Sequence, residues 1–440
     1  MLAPVWIKTA LHGFHNYDLG IFAQALRSIQ PGDLNPFLPA FSLRVFNDHF
    51  DPILILFAPL ARLLEPAYAA LTIEHALILL SPLPILLLCR KDRDQWPFAC
   101  LATTYLLFNR GILSALAFPV HPTTWAAFFF VATAATLVRG RLGWLALAAT
   151  LLMACKEEFP FPVGLIGLAL LARKELRAGA VLLVLASAWS CVAFGIRPWL
   201  MGDTHNYASR VLGPLFSAPL GTLGRRMIEL NRMERLAACL LPLLPVAFWR
   251  LRSRGSFNWP LVAALAPLLA IRFLDGAWKF HYMAPVAAAL VLSCWTRSGK
   301  ALPWRYSLAG VAMTLLFSAG ALKKDVAAYG SLRELGGARM AALDAARSRL
   351  LSQRDGKALV EGNLTPLLAS RPGVYQIGGV QPAQDYRFVL AEKPPDGDPW
   401  PLKHSDVEAL IAQWRGEARW TVLRDDDHLF LAEIAAAPTR

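Results

Sequence analysis

The sequence predicts an all-α, multi-pass membrane domain followed by a small α/β domain, and three observations predict it. Apolar residues make up 56% of the 440 residues and charged residues only 17%, a balance too apolar for an ordinary soluble protein. The apolar residues gather in blocks between Met1 and about Leu322 rather than spreading evenly. The basic residues fall in alternate loops between those blocks, which is a topology signal.

The first part, residues 1–65, reads as an outer loop. Met1 to Phe14 carries Lys8 and His12 and is too short to span a bilayer. It also lacks a basic stretch followed by an apolar run and a cleavage site, so insertion is expected to rely on the helices themselves. Tyr17 to Gln30 puts Leu19, Phe22, Ala23 and Leu26 on one helical face, the pattern of a helix lying along the membrane surface. Residues 52–64, PILILFAPLARLL, are bounded by Pro52 and broken by Pro59. That run is too short to cross and predicts an interfacial or re-entrant helix.

The membrane domain, residues 66–322, holds ten apolar blocks: 66–89, 96–118, 123–138, 142–155, 159–172, 178–199, 235–250, 257–274, 281–296 and 304–322. About ten transmembrane helices are expected, several of them short for a hydrocarbon core of roughly 30 Å. Arg90-Lys91-Asp92-Arg93, Arg139-Gly140-Arg141, Arg173 to Arg177, Arg250 to Arg254 and Arg297 to Arg305 occupy every second loop and should be cytoplasmic. The intervening loops, the first 65 residues and the tail are then extracytoplasmic.

The tail, residues 323–440, begins with a helical stretch at about 331–352. Short strand-like runs follow, including Lys357 to Glu361, Val374 to Ile377, Tyr386 to Leu390 and Trp420 to Leu423, and a small α/β domain fits them. All six cysteines lie in or at the ends of apolar blocks, none in a CxxC spacing, so neither a disulfide framework nor a zinc site is indicated. The net charge of +13 sits in short loops and describes no groove for nucleic acid.

With this topology, polar residues converge at the outer ends of helices. Asp18 and the cluster Asn47-Asp48-His49-Phe50-Asp51 lie in the first loop, His121-Pro122 and Lys156-Glu157-Glu158 in the next two. His205, Tyr207, Arg210, Asp275, Lys279, His281 and Tyr282 lie in later ones. Charges adjoining the hydrocarbon are costly and mark sites. Acids able to act as a general base or hold a divalent metal stand beside Lys156, Arg210 and Lys279, which suit a phosphate. The pairing points to a phosphorylated lipid. The competing readings are structural: solvated caps for Asp18 and Asp48, a local salt bridge for Lys156-Glu157-Glu158, a turn for His121, and snorkelling for Lys279 and His281. Arg110 stands near the middle of its block, where an unpaired charge is costly; Glu74 or another buried acid could pair with it, and it is left unassigned.

Four stretches carry a family resemblance. They are YDLGIFAQAL at Tyr17 to Leu26, NDHFDPILILFAPL at Asn47 to Leu60, CKEEFPFPVGLIGLALL at Cys155 to Leu171, and NLTPLLASRPGVY with QDYRFVL within Asn363 to Leu390. In these stretches the sequence resembles the predicted membrane proteins of domain-of-unknown-function family 2079, grouped with the GT-C glycosyltransferases. The resemblance implies a GT-C-like fold with an extracytoplasmic C-terminal domain in a bacterial inner membrane. It also implies transfer of a sugar from a polyprenyl-phosphate donor to an envelope acceptor. Asp18 matches the acidic residue of the first outer loop in such enzymes, with Asp48 as the second catalytic candidate. His49, His121, Lys156, Glu157, Glu158, Arg210, Lys279 and His281 are the substrate-binding candidates. Some members of the fold use magnesium or manganese; no metal is assigned here. One departure stands out, because the fold has a helix before the first outer loop and Met1 to Phe14 is too short for one. The rival readings are a transporter or flippase, which would carry ionisable residues at mid-depth, and a non-catalytic assembly protein.

Overall fold

The computed structural model describes residues 6, 10, 17–118, 120–202, 213, 216–228, 234–253, 257–275, 280–295, 301–334, 337–378, 386–393 and 402–434. The chain forms two compact units. One is built from Met1–Val45, Leu54–Ile73 and Asp325–Arg440, the other from Phe46–Ile53 and Glu74–Lys324.

The second unit is helical, and each of the ten apolar blocks holds helix. Among the described residues, three helical stretches are long and apolar enough to cross a membrane: Pro66–Cys89, which begins in the first unit, Arg93–Leu116 and Leu176–Met201. Leu142–Met153, Pro160–Ala172 and Met283–Ser293 are apolar but shorter. One block breaks where the sequence supplies a cap. Asn109 leaves helical geometry and its side chain accepts the Gly111 N–H, dividing Trp96–Phe108 from Arg110–Leu116. Arg110 therefore starts a helix, and it pairs with Glu234 at 3.2 Å rather than with Glu74. The helices Pro160–Ala172 and Leu176–Ser190 approach closely at Gly167 and Gly179. A Cβ on Gly179 would stand 2.8 Å from the Gly167 carbonyl oxygen, so the crossing depends on small residues.

In the first unit, the helix Tyr17–Ser28 forms as its periodicity predicts. Leu19, Phe22, Ala23 and Leu26 are buried, and the helix packs on the turns Ala58–Arg62, Gly362–Leu364 and Pro366–Leu368. Its apolar face thus meets protein. A Cβ on Gly20 would stand 2.7 Å from the Thr365 Cβ, and the Gln24 side chain donates to the Val374 carbonyl at 3.3 Å.

The strands of this unit, after a two-residue hairpin of β1 (Phe37–Leu38) and β2 (Leu43–Arg44), are β3 (Lys357–Val360), β4 (Val374–Gln376), β5 (Tyr386–Glu392), β6 (Trp420–Asp425) and β7 (Leu429–Ile434). The last five form one sheet of order β4-β3-β5-β7-β6. β3 runs parallel to β4 and β5; β7 pairs antiparallel with β5 and β6. The helix Gly337–Ser352 covers one face through Ala342, Leu343, Ala346 and Leu350, against Val360, Phe388 and Leu390. The helix His404–Gly416 covers the other through Val407, Ile411 and Trp414, against Val389 and Phe430. Strand alternation delivers alternate residues to each face, which makes this tail the expected α/β layer structure.

Candidate functional site

The helical unit gathers six of the sequence-predicted site residues at the ends of its helices. The four-residue helix Val45–Asp48 ends just before His49, and the Ile53 N–H donates to the Ala154 carbonyl at 3.0 Å. That bond draws the His49 segment to the turn joining Leu142–Met153 to Pro160–Ala172, where Lys156, Glu157 and Glu158 lie buried. Glu157 accepts from the Phe50 backbone N–H at 2.8 Å and is 3.0 Å from His49 Nδ1. Burial would raise the Glu157 carboxyl, but His49, Lys156 and the Phe50 N–H outweigh it and hold it well below the ordinary carboxylate range. Burial and Lys156 pull His49 down, yet Asp48 and Glu157 leave its pKa above the ordinary value.

His121 enters from a different helix. It caps Pro122–Arg139, with Nδ1 accepting the Thr123 N–H at 3.1 Å, while its own N–H donates to Glu74 at 2.9 Å. That bond fixes the lone pair on Nδ1, so the neutral ring carries its proton on Nε2. His281 stacks on it with ring centres 3.8 Å apart and planes 7° from parallel; His49 meets the same ring edge-on at 5.8 Å. His281 is buried as well. Burial, reinforced by His281 and Lys156, pushes His121 well below its ordinary pKa.

Tyr282 links the two halves of the cluster. The Lys156 ammonium lies 4.9 Å and the Arg272 guanidinium 4.5 Å from its ring centre, both within cation–π range. Arg272 forms an ion pair with Glu158 and is 1% exposed. Lys156 is 4% exposed, and among the described residues it has no hydrogen bond or ion pair. Burial works against its charge; Tyr282, Glu158 and Glu157 work for it, and the balance raises its pKa. The site thus holds a buried lysine whose amine meets no protein acceptor among the described residues. Asp51 is also buried, with Oδ1 unpartnered among the described residues, and burial lifts its pKa to about 8.

Asp48 is half-buried next to this cluster, and its charge acts on both His49 and Asp51. Asp18 lies in the first turn of Tyr17–Ser28, in the other unit. Arg210 and Lys279, with His205 and Tyr207, lie outside the described residues. Among the described residues, no group of three His, Cys, Asp or Glu side chains is placed to hold a metal ion. Sequence reasoning missed Arg272 and did not weigh Tyr282 as a ligand. Arg272 sits in the apolar run LLAIRFLD, and a lone charge inside such a run is the signal that could have found it.

The family model described as predicted membrane protein, domain of unknown function 2079, matches residues 14–431. No curated protein matches the chain.

Proposed function

From the premise that the chain belongs to this family of predicted membrane proteins, we propose that it is a membrane transferase acting on a lipid-linked phosphate. In this reading it is a GT-C-type glycosyltransferase that moves a sugar from a polyprenyl phosphate to an envelope acceptor. The observation that carries it is Lys156, a buried ammonium with unmet donors set between two ion-paired carboxylates. A phosphate oxygen supplies the missing acceptor. Phosphate bound there would have His49 as its second positive neighbour, oriented by Glu157. Asp48 would take the proton of the acceptor hydroxyl as its oxygen attacks the anomeric carbon. The bond from that carbon to the phosphate oxygen breaks, and the electron pair leaves on phosphate, opposite Lys156.

The ten helical blocks, with the alternation of basic loops, support about ten passes in a bacterial inner membrane, with the cluster and the tail on the extracytoplasmic side. A cysteine placed next to Asp48 should then label from outside intact spheroplasts; labelling only after permeabilisation reverses the topology. Native mass spectrometry of the gently extracted protein tests the activity. Wild type should retain a polyprenyl phosphate or its sugar ester, and Lys156→Met should lose it. If no such lipid survives any extraction, the transferase reading fails.

One observation favours a second reading. Glu74 lies buried within the long apolar stretch Pro66–Cys89, and an ionisable group inside a span is typical of transporters. Uptake or flipping by reconstituted vesicles that persists in Asp48→Asn would support that alternative.

A further inference from the structure

The sheet of the tail has a topology that opens a crevice. From β3 the chain moves to β4 on one side and then to β5 on the other, with both running parallel to β3. The segment leaving β3 packs through Leu364, Leu367 and Leu368 on the face covered by Gly337–Ser352. After β5 the next helix, His404–Gly416, covers the opposite face. Neighbouring parallel strands whose connections depart to opposite faces leave a crevice beyond their carboxyl ends, the usual place for a ligand in such sheets.

Three buried polar side chains stand at those ends: Glu361 just past β3, Gln376 closing β4 and Glu392 closing β5. Strand alternation puts Gln376 on the face of Val374 and Glu392 on that of Leu390, both under Gly337–Ser352. Arg339, in the first turn of that helix, donates to Glu392 Oε1 at 2.6 Å. Neither polar atom of Gln376 meets a hydrogen-bond partner among the described residues, and neither does Glu392 Oε2. Burying such groups unsatisfied is costly and calls for an explanation.

The charges around them are balanced. Arg339 offsets Glu392, while burial and then Glu392 push the Glu361 pKa up to about 8, which leaves that carboxyl protonated at neutral pH. A charged ligand would be buried there uncompensated. The open positions are two acceptors, Gln376 Oε1 and Glu392 Oε2, and the Gln376 amide donor. An amide holds its oxygen and nitrogen side by side, so two adjacent hydroxyls pair with it, one donating and the other accepting. β4 and β5 lie two strand spacings apart, about 10 Å, a distance that one pyranose ring and its hydrogen bonds bridge.

We infer that the tail binds an uncharged sugar at the carboxyl ends of β3, β4 and β5, with Gln376 bonding two adjacent hydroxyls and Glu392 a third. This site goes beyond the transferase reading and does not depend on Lys156.

The test uses the full chain in phosphatidylcholine nanodiscs, free of sugar-based detergent. Saturation-transfer NMR reads the binding of the methyl glycosides of glucose, galactose, mannose and N-acetylglucosamine. At least one should bind wild type, and Gln376→Leu should weaken it by about tenfold or more, the worth of one to two neutral hydrogen bonds. Leucine removes an unsatisfied amide at similar volume, so Gln376→Leu should melt no lower than wild type. Lys156→Met should bind the glycoside like wild type, which separates this site from the cluster in the helical unit. The inference is overturned if no glycoside binds wild type, or if Gln376→Leu binds as tightly. It is also overturned if Gln376→Leu melts several degrees lower, since the amide would then belong to the fold. Binding abolished by Lys156→Met and kept by Gln376→Leu would place the sugar in the helical unit instead, and would overturn it too.

Discussion

The tail and the helical unit both bury cations, but they treat them differently. In the tail, Arg371 is 2% exposed, and its guanidinium donates to the carbonyls of Leu350 and Pro372 at 2.9 Å, Gly356 at 2.8 Å, Gln353 at 3.1 Å and Asp355 at 3.4 Å. It ties the end of the helix Gly337–Ser352 to the turn before β3 and to the chain leading into β4. Lys156 in the helical unit is buried almost as fully, lies over the Tyr282 ring, and has no hydrogen bond or ion pair among the described residues. A buried charge whose donors all end on backbone is part of the fold, whereas one whose donors meet no protein acceptor among the described residues suits a ligand.

The largest expected effect breaks this comparison most directly. Arg371→Leu should destabilise the tail by about 4 kcal/mol, the usual loss when one partner of a buried charged network is removed. Urea unfolding followed through Trp414 and Trp420 fluorescence measures it. A loss below about 1 kcal/mol would mean that the carbonyl cradle is not structural and that the contrast with Lys156 is only apparent.

A second effect comes from a carboxyl in the same tail. Glu361 accepts from the Asn363 amide at 2.8 Å and the Glu392 backbone N–H at 2.9 Å. Burial, then the Glu392 carboxylate, push its pKa up to about 8 from 4.5. The folded state therefore holds a proton that the unfolded state releases at lower pH. This stability is complete below about pH 4.5 and is lost as pH rises toward 8. Between pH 5 and pH 7, two pH units, the loss reaches about 3 kcal/mol. Glu361→Gln should flatten that slope in a series of melts, and an unchanged slope would assign the pH dependence to another group.

Much of this arrangement was legible in the sequence. His49, His121, Lys156, Glu157, Glu158 and His281 stand at the ends of apolar blocks, where a polar residue is conspicuous, and the structure brings those six together. Arg272 was hidden because it lies inside an apolar helix and its partner Glu158 comes from a turn between two other helices, more than a hundred residues away. Pairings of that kind depend on tertiary packing and leave no periodicity to read. The helix Tyr17–Ser28 was legible as amphipathic, yet an apolar stripe does not reveal whether lipid or protein covers it; Gly20, closely packed on Thr365, was the available hint. In the tail, β7 escaped because LFLAEI is apolar on nearly every residue and its alternation is blurred. Its place between β5 and β6 is set by pairing with both.

Replacing Lys156 by Met sharpens the comparison from the other side. The substitution removes a charge with no hydrogen bond to lose, though Glu157 and Glu158 lose its field. Stability in nanodiscs should then shift by no more than about 1 kcal/mol, while lipid retention is abolished. Loss of both together would make Lys156 another Arg371.

The smallest expected effect on stability belongs to Asp18→Asn, and it discriminates between two acids. Asp18 occupies the first turn of Tyr17–Ser28, where a carboxylate interacts favourably with the helix N-terminus by about 0.5 kcal/mol. Asparagine caps well, so even that is partly kept. If Asp48 is the base, Asp18→Asn should leave hexose transfer from the polyprenyl donor near the wild-type rate, and Asp48→Asn should reduce it about 100-fold or more. The reverse outcome would give the base role to Asp18, as the family resemblance implies.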